Sequence, residues 1–321
     1  YDILRLLNKS KIYLNDVNNY RVIGRIGEGA HGLVFKAQHL PTGREVALKK
    51  ILIKNLDDGI PINVMREIKS LELLRCKYII KMYDMFPRGM SLVLVLEYMT
   101  SGLWDMLHNN PQLLTTPRVK AYMQMLLKGT RYMHAHFVMH RDLKPANLLI
   151  NNLGILKIAD LGLARLYWPD KGRPYSHQVA TRWYRAPELL YGARYYSQNV
   201  DLWAIGCIMA EIITKKPLFA GETDIEQLAI VLNHLGTPTE EIWPGHTDLP
   251  DYHKIMFPES TPTPWSELLP DVESDAVNLI KSFVLYDSDK RISAKQALKH
   301  EWFHCRPFPA TLDDMPKPRP I

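Results

Sequence analysis

From Tyr20 onward the chain alternates short runs of apolar and β-branched residues with clusters of turn formers. The runs at 20–26, 32–38, 45–51 and 92–96 read as strands, and Leu40-Pro41-Thr42-Gly43 between two of them reads as a turn. Val64, Ile68, Leu71 and Leu74 recur at helical spacing and predict a helix over 61–75. Beyond Gly102 the pattern becomes helical. Thr116-Pro117 supplies a cap and a proline at the first helical position, and Val119, Tyr122, Met123, Leu126 and Leu127 mark an amphipathic helix behind it. Residues 202–213 are apolar on nearly every face apart from Glu211, which predicts a helix buried all round. Pro307, Pro309, Pro316, Pro318 and Pro320 exclude a helix or a central strand from the last stretch.

The expected architecture is α+β and bilobal. An extension at 1–19 precedes a small β-rich lobe with one key helix at 20–97. A connecting stretch at 97–102 leads to a larger helical lobe at 103–303, and 304–321 form a Pro-rich tail. A length of 321 residues suits a two-lobed unit better than one small core. With 46% apolar and 23% charged residues the composition is that of a globular protein, and no apolar run approaches the roughly 20 residues of a membrane span. Ile3-Leu4-Arg5-Leu6-Leu7 lacks the length and cleavage pattern of a secretory signal, so an intracellular protein of cytoplasm and nucleus is expected. Cys76, Cys207 and Cys305 are too scattered for a disulfide framework or a zinc cluster. The net charge of +6 comes from 40 basic and 34 acidic residues without any Lys/Arg tract, so nucleic acid is not an expected partner.

The chemistry concentrates in His140-Arg141-Asp142-Leu143-Lys144-Pro145-Ala146-Asn147 and Asp160-Leu161-Gly162. Asp142 can accept a hydroxyl proton, Lys144 can neutralise a moving phosphate, and Asn147 with Asp160 can hold Mg²⁺. Together these are the requirements of phosphoryl transfer. Between the first two strands, Gly27-Glu28-Gly29-Ala30-His31-Gly32 would let backbone approach phosphate oxygens with no Cβ intervening. A strand, not a helix, follows it, so a dinucleotide-binding turn is excluded. Val46-Ala47-Leu48-Lys49 places a lysine on the third strand, and Glu67 sits on the 61–75 helix. Taken singly each is an ordinary surface residue; their order relative to the glycine loop and the aspartates carries the reading.

Over 20–303 these motifs resemble the signature set of the eukaryotic protein kinases. The resemblance implies the bilobal kinase fold and an ATP- and Mg²⁺-dependent enzyme acting on protein substrates. Asp142, Lys144, Lys49 and Glu67 would be catalytic, and Asn147 and Asp160 would bind the metal. ATP would contact Ile26, Gly27, Glu28, Gly29, Ala30, His31, Gly32, Val34, Ala47, Lys49, Glu97, Met99 and Leu149, with Leu96 as gatekeeper. The intact set argues for turnover over a kinase-fold scaffold. Lys144-Pro145 after Asp142-Leu143 is similar to serine/threonine kinases.

Val179-Ala180-Thr181-Arg182-Trp183-Tyr184-Arg185 resembles the group of cyclin-dependent and MAP kinases, and the missing Thr-x-Tyr pair favours the former. Val179, Ala180 and Arg185 would shape a pocket for proline after the acceptor Ser or Thr. Leu56-Asp57-Asp58-Gly59, Met125-Leu126-Leu127-Lys128-Gly129 and His177-Gln178-Val179-Ala180-Thr181 narrow the resemblance to one branch of the cyclin-dependent kinases. It implies that an upstream kinase phosphorylates Ser176, whose phosphate Arg66, Arg141 and Arg165 would gather, and that Glu188 pairs with Arg291. Pro61-Ile62-Asn63-Val64-Met65-Arg66-Glu67 departs from the usual cyclin-facing helix, which leaves a cyclin, a non-cyclin activator or no activator as the alternatives. Ala30 and His31 replace a Thr-Tyr pair open to inhibitory phosphorylation, which implies that this brake is missing. Cell-cycle and cilium roles follow from the same likeness.

Overall fold

The computed structural model describes residues 17–29, 32–53, 60–167 and 174–318. Ala30, His31 and the Leu56-to-Gly59 motif therefore lie outside the described residues. The small lobe is a five-stranded antiparallel sheet of order β1-β2-β3-β5-β4, built from β1 (Tyr20–Gly29), β2 (Gly32–His39), β3 (Arg44–Leu52), β4 (Met82–Pro87) and β5 (Ser91–Glu97). Helix α1 (Ile62–Leu73) packs on one face.

Side chains alternate across a strand, and β5 shows the consequence. Its Leu92 and Leu94 join Val64 and Ile68 of α1 in one apolar layer, while Val93 and Val95 join Ala37, Val46, Leu48 and Phe86 in a second. Burial on both faces explains why β5 is apolar at every inner position instead of at alternate ones. Strand β4 was not among the sequence-predicted strands because Asp84 and Pro87 interrupt its pattern. Asp84 is buried, and the backbone N–H of Met85 donates to its Oδ1 at 2.8 Å. That bond offsets part of the cost of placing a carboxylate inside the sheet.

A two-residue strand β6 (Ser101–Gly102) begins the large lobe, followed by α2 (Leu103–Asn109) and α3 (Thr116–Ala135). Then come β7 (Val138–Met139), β8 (Leu148–Ile150), β9 (Leu156–Ile158) and β10 (Arg165–Leu166), in small antiparallel sheets β6-β8-β9 and β10-β7. Helix α4 (Asn199–Thr214) is buried along Val200 to Ile212, as its all-round apolar sequence predicts. It meets α6 (Ser274–Phe283) closely at Gly206, where an added Cβ would lie 2.7 Å from Val284 and 2.8 Å from Phe283. Helix α5 (Asp224–Leu235) runs between them in sequence and is capped by Thr223, whose hydroxyl accepts from the Glu226 N–H.

The predicted Glu188–Arg291 pair is bidentate, both N···O distances being 2.7 Å, with the Arg291 side chain fully buried. The Pro-rich tail docks: Ala310 donates its N–H to Pro117 at 2.9 Å, Arg118 reaches the Asp314 carbonyl at 3.0 Å, and Met315 is buried. Among the described residues no helix is long and apolar enough to cross a membrane.

Candidate active site

The catalytic stretch is hung from one buried carboxylate. Asp201, in the first turn of α4, accepts the backbone N–H of His140 on Oδ2 and that of Arg141 on Oδ1, each at 2.8 Å, while His134 Nε2 donates to Oδ2 at 2.9 Å. Burial opposes ionisation of Asp201, but the His134 hydrogen bond and charge and the Arg141 N–H outweigh it and hold its carboxyl below the usual carboxylate range. Arg141 sits at φ 69°, a left-handed conformation costly for a side chain with a Cβ, and this hold secures it. The His140 ring spans the same loop. Its Nε2 faces the Ala159 carbonyl at 3.0 Å and its Nδ1 faces the Asp142 N–H at 3.1 Å. A carbonyl can only accept and an N–H only donate, so Nε2 is the donor and Nδ1 the acceptor in these two bonds.

Asp142 emerges from this loop into a closed set of bonds. Its Oδ1 accepts the N–H of Thr181 at 2.9 Å and the Thr181 hydroxyl at 3.0 Å. Its Oδ2 lies 3.0 Å from Lys144 Nζ and 3.1 Å from Asn147 Nδ2, which also donates to the Asp142 carbonyl at 2.8 Å. Lys144 Nζ completes the ring with a 2.7 Å bond to Thr181 Oγ1. Sequence reasoning placed Asp142, Lys144 and Asn147 together, and it passed over Thr181 and Asp201. Because both bonds of the Asn147 amide nitrogen run to Asp142, its carbonyl oxygen is the end left for another partner.

In the small lobe, Lys49 on β3 meets Glu67 on α1 at 2.7 and 2.9 Å, and Asp160 lies 3.6 Å from the same ammonium. Burial disfavours the Lys49 charge, yet Glu67 and Asp160 outweigh it and raise its pKa above the ordinary lysine value. Glu67 is 2% exposed, so the pair is a real constraint on α1 and not a surface contact. Helix α1 also packs on the turn Leu161–Leu163, which ties its position to that of Asp160. Asp160 itself is held at φ 57°, ψ 71°. Ile26, Val34 and Ala47 lie on β1, β2 and β3, whereas Leu149 lies on β8 of the other lobe. In the connecting stretch the N–H of Glu97 goes to the Lys81 carbonyl at 2.8 Å and its side chain to Lys157 at 2.8 Å. Of the groups expected to read adenine there, the Glu97 carbonyl and the Met99 backbone remain.

Two further groupings involve residues 160–188, the stretch that the kinase resemblance reads as the activation segment. Arg185 donates Nε to the Val179 carbonyl at 2.9 Å and Nη2 to the Ala180 carbonyl at 3.0 Å, and Ala180 stands at φ 67°. Ser176 is exposed, and its carbonyl accepts from the Tyr196 hydroxyl, which in turn accepts from Arg141 Nη1 at 2.9 Å. Arg66 Nε is buried with no hydrogen-bond partner among the described residues. Burial and the neighbouring charges of Arg165 and Arg141 lower the Arg66 pKa from its ordinary value. A cavity of about 400 Å³ opens beside this cluster, lined by Arg66, Lys69, Leu73, Arg165 and Tyr175 among others.

The two lobes, the Lys49–Glu67 pair beside Asp160 and the bonded set of Asp142, Lys144 and Asn147 define a phosphotransferase of the kinase type. The family model for the protein kinase domain matches residues 20–303, and the chain belongs to that family. Among named relatives, "Cyclin-dependent kinase 20" of Danio rerio is 55% identical over 94% of this chain and 88% of its own length. The protein of that name from Homo sapiens is 52% identical with the same coverage. "Cyclin-dependent kinase D-1" of Arabidopsis thaliana is 43% identical over 92% of this chain and 73% of its own length. The chain is thus a protein serine/threonine kinase of the cyclin-dependent kinase type, in a family that uses ATP and a divalent metal ion.

Proposed function

We propose that this kinase transfers the γ-phosphoryl group of Mg-ATP to serine or threonine followed by proline. The single observation that carries the proline preference is the Arg185 guanidinium bonded to both the Val179 and Ala180 carbonyls. With those two acceptors occupied, the backbone N–H of any ordinary residue after the acceptor has no partner there, at a cost of about 1–3 kcal/mol, while proline has no N–H to leave unpaired.

Within the site Asp142 orients the acceptor hydroxyl and takes its proton. Lys144 holds the transferred phosphoryl group, and Lys49, fixed by Glu67, positions the other phosphates. Asn147 and Asp160 fit Mg²⁺ because both offer hard oxygen donors and the Asn147 nitrogen is already tied to Asp142. The ion supplies neutralisation of phosphate charge when bound. Adenine is read by the Glu97 carbonyl and Met99 backbone, with Ile26, Val34, Ala47 and Leu149 around the ring and the backbone of Gly27, Glu28, Gly29 and Gly32 toward the phosphates.

Activity is raised by phosphorylation of Ser176 by an upstream kinase, a reading supported by the convergence of Arg66, Arg141 and Arg165 near that segment. A cyclin or other activator engages α1, where Ile62 and Leu73 are exposed. The likeness to cyclin-dependent kinases supports a cell-cycle or cilium-related role in the cytoplasm or nucleus. The experiment is a comparison of kcat/KM on two peptides that differ only in Ser-Pro versus Ser-Ala. A preference of at least about tenfold for Ser-Pro is expected; equal rates would refute the proline reading.

A further inference from the structure

The Arg185 guanidinium has a third arm. Besides Val179 and Ala180, the guanidinium reaches Asp224 through Nη1 at 2.8 Å on Oδ2. Asp224 is the first residue of α5, on a different part of the large lobe, 39 residues further along the chain. Its other oxygen, Oδ1, accepts from Arg182 Nε at 2.8 Å. The carboxylate is thus shared between two guanidiniums, one of which holds the activation-segment carbonyls. Burial would raise the Asp224 pKa, but the bonds and charges of Arg182 and Arg185 outweigh it and keep the group ionised. Its place at a helix N-terminus favours the same charge.

An arginine side chain has several rotatable bonds, and a guanidinium aimed at two carbonyls has no reason to stay there when other donors or water can replace it. Anchoring its third edge on a carboxylate removes that freedom. It also matters for Ala180, whose left-handed backbone costs roughly 1–2 kcal/mol and relaxes unless its carbonyl is held.

We infer that Asp224 is a specificity-positioning residue: by fixing Arg185 against the Val179 and Ala180 carbonyls, it sets the discrimination for proline after the phosphorylated residue. The inference rests on the proline-directed reading above and assigns its determinant to α5, outside the activation segment. Asp224 touches neither substrate nor nucleotide in this role. Its loss therefore acts on the ratio between substrates, not on phosphoryl transfer itself.

The test measures kcat/KM for the Ser-Pro and Ser-Ala peptides with the full chain, Asp224→Asn, Asp224→Glu and Arg182→Ala. Asp224→Asn is expected to lower the Pro/Ala ratio about tenfold, with part of the change a gain on the Ser-Ala peptide, because the released carbonyls can then accept an N–H. Asp224→Glu restores most of the ratio by returning the charge. Arg182→Ala, which takes only the other oxygen, keeps it within about twofold. If the unmodified chain prefers Ser-Pro and Asp224→Asn lowers both rates equally, or neither, the role of Asp224 is refuted while the proline reading stands. If the unmodified chain shows no preference, both fall.

Discussion

Two polar clusters a few residues apart in the fold have opposite electrostatic balance. Around Asp142, every charge has an answer: the carboxylate faces Lys144, Asn147 and both donors of Thr181, and the loop behind it hangs from Asp201. Around Arg66, Arg141 and Arg165, the cations face one another, and a buried Nε lacks a hydrogen-bond partner among the described residues. The first arrangement is preorganised, as a site must be when it stabilises charge during a reaction without reorganising. The second has no carboxylate within ion-pair distance among the described residues. Arg141 belongs to both, since its backbone is held by Asp201 while its side chain reaches Leu163 and Tyr196. The difference is one of charge balance: the set around Asp142 is neutralised within itself, whereas the arginine cluster keeps its positive charge, which is what the proposed phosphorylation of Ser176 would answer.

The largest effect should come from the balanced cluster. Asp142→Asn keeps the size of the side chain and loses the proton acceptor, so turnover of a Ser-Pro peptide should fall about 10²–10⁴-fold with the melting temperature nearly unchanged. A mutant as active as the parent would remove Asp142 from the chemistry and dissolve the contrast. Next comes Asp201→Ala, which strands the His140 and Arg141 amides and His134. Breaking such a buried ionic group costs about 3–5 kcal/mol, readable as a lower midpoint in urea unfolding. Its folded pKa lies below the value of 3.8 for a free aspartate, so its contribution is complete above that pH and is lost as pH falls through the folded value. Asp201→Asn should flatten the acid limb of the stability curve.

Smaller effects belong to the unbalanced cluster. Phosphate on Ser176 brings about −1.5 to −2 charge and acceptors for the arginines, so the phosphorylated chain should exceed Ser176→Ala in kcat by about tenfold or more, with mass spectrometry confirming occupancy. Equal activity would show the arginine cluster to be unconnected with control. The smallest effect is the most diagnostic because its sign should reverse. Arg66→Gln relieves repulsion in the unphosphorylated chain, which should be neutral or stabilised by up to about 1 kcal/mol, and removes a phosphate ligand in the phosphorylated chain, which should lose about 1–3 kcal/mol. Thermal melts of both forms read the reversal directly.

Much of the fold is legible from local pattern. The strands around Lys49, the helix bearing Glu67 and the buried helix at 199–214 follow from apolar spacing, because burial selects side chains locally. Strand β4 is not legible, since its buried Asp84 is tolerated only through bonds that a sequence does not display. The docked tail is similar: prolines exclude regular structure, but only packing of Met315 and the bonds to Pro117 and Arg118 show where the segment lies.

The chemistry divides along the same line. Contiguous motifs by themselves determined the reaction class and nominated the groups proposed to bear it, because phosphoryl transfer needs an acid–base group, cations and oxygen ligands in a short, dense set. The tertiary structure decided what holds those groups. Thr181 reaches Asp142 across 39 residues, Asp201 reaches His140 across 61, and Asp224 reaches Arg185 across 39. In sequence Thr181 is one member of a motif with no role of its own, and Asp201 and Asp224 carry no signal, because a carboxylate or hydroxyl acquires a role only when folding brings its partner within about 3 Å and excludes the water that would otherwise take its place.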